Sequence, residues 1–146
     1  MSIEWSAAVS REIEEHGAAT YPNECCGALL GSAQGDRRIV RSTLRIENAR
    51  ADAAHHRFLI TDQDYLAAEA HATSAGVSLL GFYHSHPDHP ARPSQYDLDH
   101  AFPWFSYVIL AVANGRPGAL TSWRLSEDRT EFLPEPTLHP PQSGGA

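Results

Sequence analysis

This 146-residue sequence predicts a single domain of the α/β class, on three observations. Helical and extended periodicities alternate along the chain. Hydrophobic residues make up 42% of it, enough for one core with little left for a second. Short turn signals separate the extended stretches.

Residues 5–16, WSAAVSREIEEH, place Trp5, Ala8, Val9 and Ile13 near one helical face, with Glu12, Glu14 and Glu15 largely elsewhere. This predicts a first helix with Gly17 as its stop. CCGALLGS is short and apolar, RRIVRSTLRIEN alternates like a half-buried strand, and AQGD between them reads as a hairpin turn. HRFLI is a further candidate strand. Thr61 followed by Asp64 is a variant of the capping box, opening an alanine-rich helix that ends at Gly76. VSLLGFYHSH, dense in apolar and aromatic residues, is expected to be a central strand. SYVILAVAN, ALTSWRLS and TEFLPE continue as strands joined by turns at GRPG and SEDR. The domain is drawn over residues 1–135. Residues 136–146, rich in proline and glycine, are expected to form a mobile tail.

The net charge of −7 with neutral histidines disfavours a sequence-independent grip on nucleic acid, which needs clustered Lys and Arg. No apolar run reaches the roughly 20 residues that span a bilayer, and the amino terminus does not read as a signal peptide. The expectation is therefore a cytoplasmic protein without membrane partners. Cys25 and Cys26 are adjacent, a poor arrangement for a disulfide, and are expected to be reduced and at least partly buried. Nothing near them resembles a Cys-His dyad.

The most informative stretch is HSHPDHPARPSQYD, residues 84–97. On a strand, His84 and His86 share one face while Ser85 points away, where it is expected to pack or to bond to backbone. Two imidazoles so placed can converge on one ion at about 2.0–2.1 Å. Pro87, Pro90 and Pro93 stop the strand and hold the loop extended until Ser94 can cap a short helix. Asp97, three residues on, lies on nearly the same side of that first turn. If the loop folds back, the carboxylate joins the imidazoles in a His-His-Asp set with a fourth position open, the ligand count of a catalytic zinc. Each part has a plainer reading: Ser94 and Asp97 form a respectable capping box, and loop histidines are often only solvated.

H-S-H, seven residues, Ser, two residues, Asp resembles the JAMM/MPN+ zinc metalloprotease motif at every defining position: His84, His86, Ser94 and Asp97. The family also carries a glutamate far upstream, and YPNECCGALLG resembles that segment of its bacterial members, making Glu24 the match. The likeness runs from the first helix to about Ala101. It implies a cytidine-deaminase-like JAMM fold, with a mixed β-sheet flanked by helices. It also implies one zinc ion and peptidase or isopeptidase activity. Bacterial relatives resemble peptidases that process ubiquitin-like sulfur carriers, so the implied partner is a ubiquitin-like or sulfur carrier protein with a Gly-Gly tail.

Physical chemistry fits those roles. Zinc on His84, His86 and Asp97 would bring the pKa of a bound water toward about 7. Glu24 within reach of that water would act as general base and then acid, and partial desolvation beside Cys25 and Cys26 would suit it to the work. Ser94 is expected to donate to the developing oxyanion, a contact whose loss typically costs about 10²–10³ in rate, and it can also be the helix cap. His89 and His100 are expected to be solvated. The segment 48–56 and the loop 87–93 are candidate walls for a groove around an extended tail. The closing SGGA is read as coincidence. A noncatalytic MPN-type scaffold is the alternative, and a DNA-repair-associated relative a weaker one, discouraged by the acidic balance.

Overall fold

The computed structural model describes residues 1–47 and 60–138. In chain order these form β1 (Ser2–Trp5), α1 (Ala7–Thr20), β2 (Cys26–Gln34), β3 (Arg37–Ile46), α2 (Asp62–Ala75), β4 (Ser78–Pro87), α3 (Gln95–Asp99), β5 (Ser106–Ala113), β6 (Arg116–Leu125), β7 (Phe132–Glu135) and β8 (Thr137–Leu138). One mixed sheet contains all of these strands, in the order β7-β6-β5-β4-β2-β3-β1-β8. The pairs β1–β3, β1–β8 and β4–β5 are parallel and the others antiparallel. The expected α/β class and the central place of the strand bearing His84 and His86 are both found. The candidate strand HRFLI falls almost wholly outside the described residues, as does the candidate groove wall 48–56.

The amino terminus differs from expectation. Trp5 belongs to β1, not to the first helix, and is buried with Ile3 in the alternation of a strand. The helix starts after Ser6, whose side chain accepts from the Val9 amide, and Ala8 is exposed. Gly17 does not stop it. A Cβ at Gly17 would lie 2.6 Å from Leu110 Cδ2, so the residue lets α1 lie close against β5 and the helix runs on to Thr20. The turn expected at GRPG is made by Asn114 and Gly115, both at positive φ, while Arg116 and Pro117 already belong to β6. Asn-Gly is the dipeptide a two-residue hairpin favours. At the other end of the chain, Ile3 donates its amide to the Pro136 carbonyl, and Thr137–Leu138 pair with β1. The stretch expected as a tail is thus docked over its first three residues, and its remainder, SGGA included, lies outside the described residues.

Both sheet faces are covered. Val9 and Ile13 of α1 pack with Trp5, Leu80, Tyr83 and Leu110 on one side. Ala68 and Ala72 of α2 pack with Phe82, Phe105 and Tyr107 on the other. A bulge in β4 decides which face receives the histidines. Leu30 pairs with Leu79 and Leu29 with Gly81, leaving Leu80 over. Leu80 and Phe82, two residues apart, consequently enter opposite core clusters. From Phe82 onward the ordinary alternation carries His84 and His86 to the α2 side. A Cβ at Gly81 would come within 1.9 Å of the Ser106 carbonyl oxygen, so only glycine fits beside this bulge.

Candidate metal centre

His84 and His86 leave β4 on one face with their Nε2 atoms 3.0 Å apart. The Pro90–Pro93 segment, expected to be extended, is instead bent at Ala91 and Arg92, where the Arg92 amide donates to the Pro90 carbonyl at 2.9 Å, and it delivers α3, capped reciprocally by Ser94 and Asp97. Ser94 Oγ accepts from the Asp97 amide at 3.1 Å, and Asp97 Oδ2 accepts from the Ser94 amide at 2.8 Å. The same Oδ2 lies 3.3 Å from His84 Nε2 and 3.2 Å from His86 Nε2. The plain capping reading and the ligand reading of Asp97 are therefore compatible: one oxygen serves the helix and faces the imidazoles.

Three donor atoms thus form a triangle with edges of 3.0, 3.2 and 3.3 Å. Donors about 2.0–2.1 Å from a tetrahedral zinc stand about 3.3–3.4 Å from one another, so the triangle fits that ion with little adjustment. The protonation pattern fits too. His86 Nδ1 lies 2.9 Å from the Pro90 carbonyl, which only accepts, so the proton is on Nδ1 and the Nε2 lone pair points at the triangle. Burial lowers the pKa of His84 and keeps it neutral, the state a ligand requires. Burial by itself would raise the pKa of Asp97. The facing ring nitrogens of His84 and His86 and the Ser94 amide outweigh it and hold the carboxyl well below its usual range.

Glu24 arrives from the other end of the chain. Antiparallel pairing sets Cys26 opposite His84, which runs Cys25 alongside Ser85 and Glu24 alongside His86. A carboxylate oxygen of Glu24 and ring nitrogens of His84 and His86 lie within 4.8 Å of one another, and Glu24 is 3% exposed. The sequence-predicted residues are thus brought together: Glu24, His84, His86 and Asp97 converge, with Ser94 exposed at the first turn of α3. Accepting from the Asp97 amide leaves the Ser94 hydroxyl proton available, so capping and donation are compatible. His89 and His100 are exposed, as expected. Cys25 and Cys26 are buried free thiols, and desolvation raises both, Cys25 to about 11, so neither is poised as a thiolate.

Two recesses flank the triad. One, of about 500 Å³, has His84 and Asp97 in its wall and Phe102, Tyr107, Ile109 and Phe132 around it. The other, of about 720 Å³, is lined by His86, Ser94, His89 and Arg92. The loop 87–93 therefore does wall a recess beside the triad. Asp88 belongs to no motif in the sequence, yet it ties this loop down. It sits at φ 57°, donates its amide to the Val112 carbonyl, and accepts from the Tyr21 hydroxyl at 2.7 Å and the Asn114 amide at 2.9 Å. Asp is one of the few residues that take that backbone region readily, the one local signal that could have marked it.

Residues 6–126 match the family described as prokaryotic homologs of the JAB domain. The chain belongs to that family. This JAB domain is 35% identical over 96 residues to the desampylase of Haloferax volcanii, an alignment covering 66% of each chain. It is 38% identical over 85 residues to the tail tip assembly protein K of Escherichia phage N15, covering 58% of the domain and 30% of the phage protein. The match thus spans under a third of the phage protein and just under two thirds of the desampylase. Among solved structures, a protein from Desulfitobacterium hafniense superposes with a TM-score of 0.82 at 30% identity, covering 96% of this chain and 94% of that one. A protein from Salinibacter ruber gives 0.75 at 43% identity, covering 98% and 94%. A JAB1/MPN domain protein from Archaeoglobus fulgidus gives 0.59 at 17% identity, covering 94% and 98%, a likeness of fold.

Proposed function

We propose that this JAB domain is a zinc-dependent isopeptidase or peptidase. The bond it hydrolyses is the amide after the Gly-Gly end of a ubiquitin-like or sulfur carrier protein. The observation that carries the reading is the donor triangle of His84, His86 and Asp97, with the His86 Nε2 lone pair inward and the Glu24 carboxylate beside it. The name of the Haloferax volcanii relative, desampylase, speaks for a ubiquitin-like substrate.

Neutral His84 and His86 and the ionised Asp97 would hold the metal. Zinc bound there supplies a water acidified toward neutral pH and polarises an amide carbonyl. Glu24 takes the proton of the attacking water and delivers it to the leaving amine. Its burial keeps bulk water from competing for that proton. Ser94, on the rim, donates its hydroxyl proton to the carbonyl oxygen as negative charge builds there. The Pro90 carbonyl fixes the ring of His86 throughout.

The test is to incubate the zinc-loaded protein with Gly-Gly carrier proteins bearing peptide, isopeptide or single-amino-acid adducts, and to follow release by mass spectrometry. The parent releases the adduct. Glu24→Gln retains one zinc and loses at least about 10² in rate, the scale set by general acid-base catalysis. A protein that holds zinc and leaves all these adducts intact would sink the proposal and favour the noncatalytic scaffold. The complete donor set counts against that alternative.

A further inference from the structure

Ser85, the residue between the two histidines, has its own partner. Its side chain points away from the triad and is fully buried, at 0% exposure. Its hydroxyl oxygen accepts from the Cys25 amide at 2.8 Å, and its own amide donates to the Cys25 carbonyl at 3.1 Å. Cys25 is the neighbour of Glu24 and lies at the point where β2 has not yet begun. The regular β2–β4 ladder has its last pair at Cys26 and His84, so these two bonds are what extend the pairing toward Glu24.

Resting on the reading of Glu24 as the base, we infer that Ser85 is its positioning residue. One tripeptide then performs two tasks on opposite faces of one strand. His84 and His86 hold the donors on one side, and Ser85 on the other fixes the backbone from which Glu24 reaches over them. Packing explains why the residue is small. A Cβ on Gly17 would stand 3.7 Å from Ser85 Cβ, so α1 closes directly over this position. An aliphatic side chain would fill that space without providing an acceptor, leaving a buried amide at Cys25 unpaired.

The experiment compares parent, Ser85→Ala, Ser85→Cys and Glu24→Gln as full-length zinc-loaded proteins, using the carrier adduct that the parent cleaves. Cysteine keeps the size of the side chain and is only a weak acceptor, so it serves if the alanine variant folds poorly. Cobalt substitution reads the donor set, and amide hydrogen exchange at Cys25 reads the clamp. In both Ser85 variants we expect Cys25 exchange to accelerate at least about tenfold and kcat to fall about 10–100-fold. KM and the cobalt spectrum should stay as in the parent. A kcat within about twofold of the parent in a folded variant overturns the inference, since an outer-shell support typically costs more. So does a changed cobalt spectrum, which would make Ser85 a support of the ligands instead. If Glu24→Gln is inactive while the Ser85 variants are not slowed, the positioning role alone fails. If Glu24→Gln cleaves like the parent, the base assignment falls and nothing remains for Ser85 to position.

Discussion

Acidification should weaken this fold through one histidine on the α1 side of the sheet, the face opposite the metal ligands. His16 of α1 is 8% exposed, and its Nδ1 lies 2.6 Å from the hydroxyl of Tyr83. Burial, with a smaller contribution from Arg45, lowers its pKa from 6.5 to about 4. The unfolded chain takes up a proton near 6.5 and the folded chain resists it until about 4. The stability that neutral His16 supports is therefore whole above pH 6.5 and lost as pH falls through the window down to about 4. With those two values the loss at pH 5 is about 2 kcal/mol, a large share of the roughly 5–15 kcal/mol that holds a domain together. Urea unfolding at a series of pH values between about 8 and 4.5, on the parent and on His16→Asn, isolates the effect. His84 and the carboxylates titrate in both proteins and cancel in the difference. The two stability curves should converge as pH falls, by about 2 kcal/mol between pH 8 and 5. A difference that does not change with pH would refute the reasoning.

Other substitutions probe the packing and the loop. Gly17→Ala gains about 1 kcal/mol of helix propensity but overpacks against Leu110, which costs about 1–3 kcal/mol, so the variant should be about 1 kcal/mol less stable in urea titration. Asp88→Ala should weaken zinc binding in a chelator competition assay more than Asp88→Asn does, because asparagine tolerates positive φ and keeps an acceptor for the Asn114 amide. Equal affinities would show that this clamp does not reach the metal site. Asp97→Asn retains an oxygen for the Ser94 amide, so α3 should persist by circular dichroism while zinc affinity falls at least about 100-fold, more than an outer-shell change costs.

What can be read in advance is what depends on residues close in sequence. The capping boxes at Thr61 and Ser94 each close within three residues, and both form as the spacing implies. The common face of His84 and His86 follows from strand alternation alone. The elements that depart from expectation are those decided by distant partners. Gly17 looks like a helix stop until Leu110 of β5 is packed against it, and a glycine there is required by that contact and not by the helix. SIEW is too short to declare itself a strand, and it becomes one because β3 and the Pro136–Leu138 segment pair with it.

A donor set was legible from the order of residues alone: two imidazoles and a carboxylate at a spacing one ion can join, each on its own local scaffold. Two further things came only from the folded chain. The bulge at Leu80 turns those imidazoles to the α2 face, and pairing of Cys26 with His84 brings Glu24 beside them. Caps and strand alternation arise from bonds and sterics within a few residues, whereas strand register and face are set by burial against partners far along the chain.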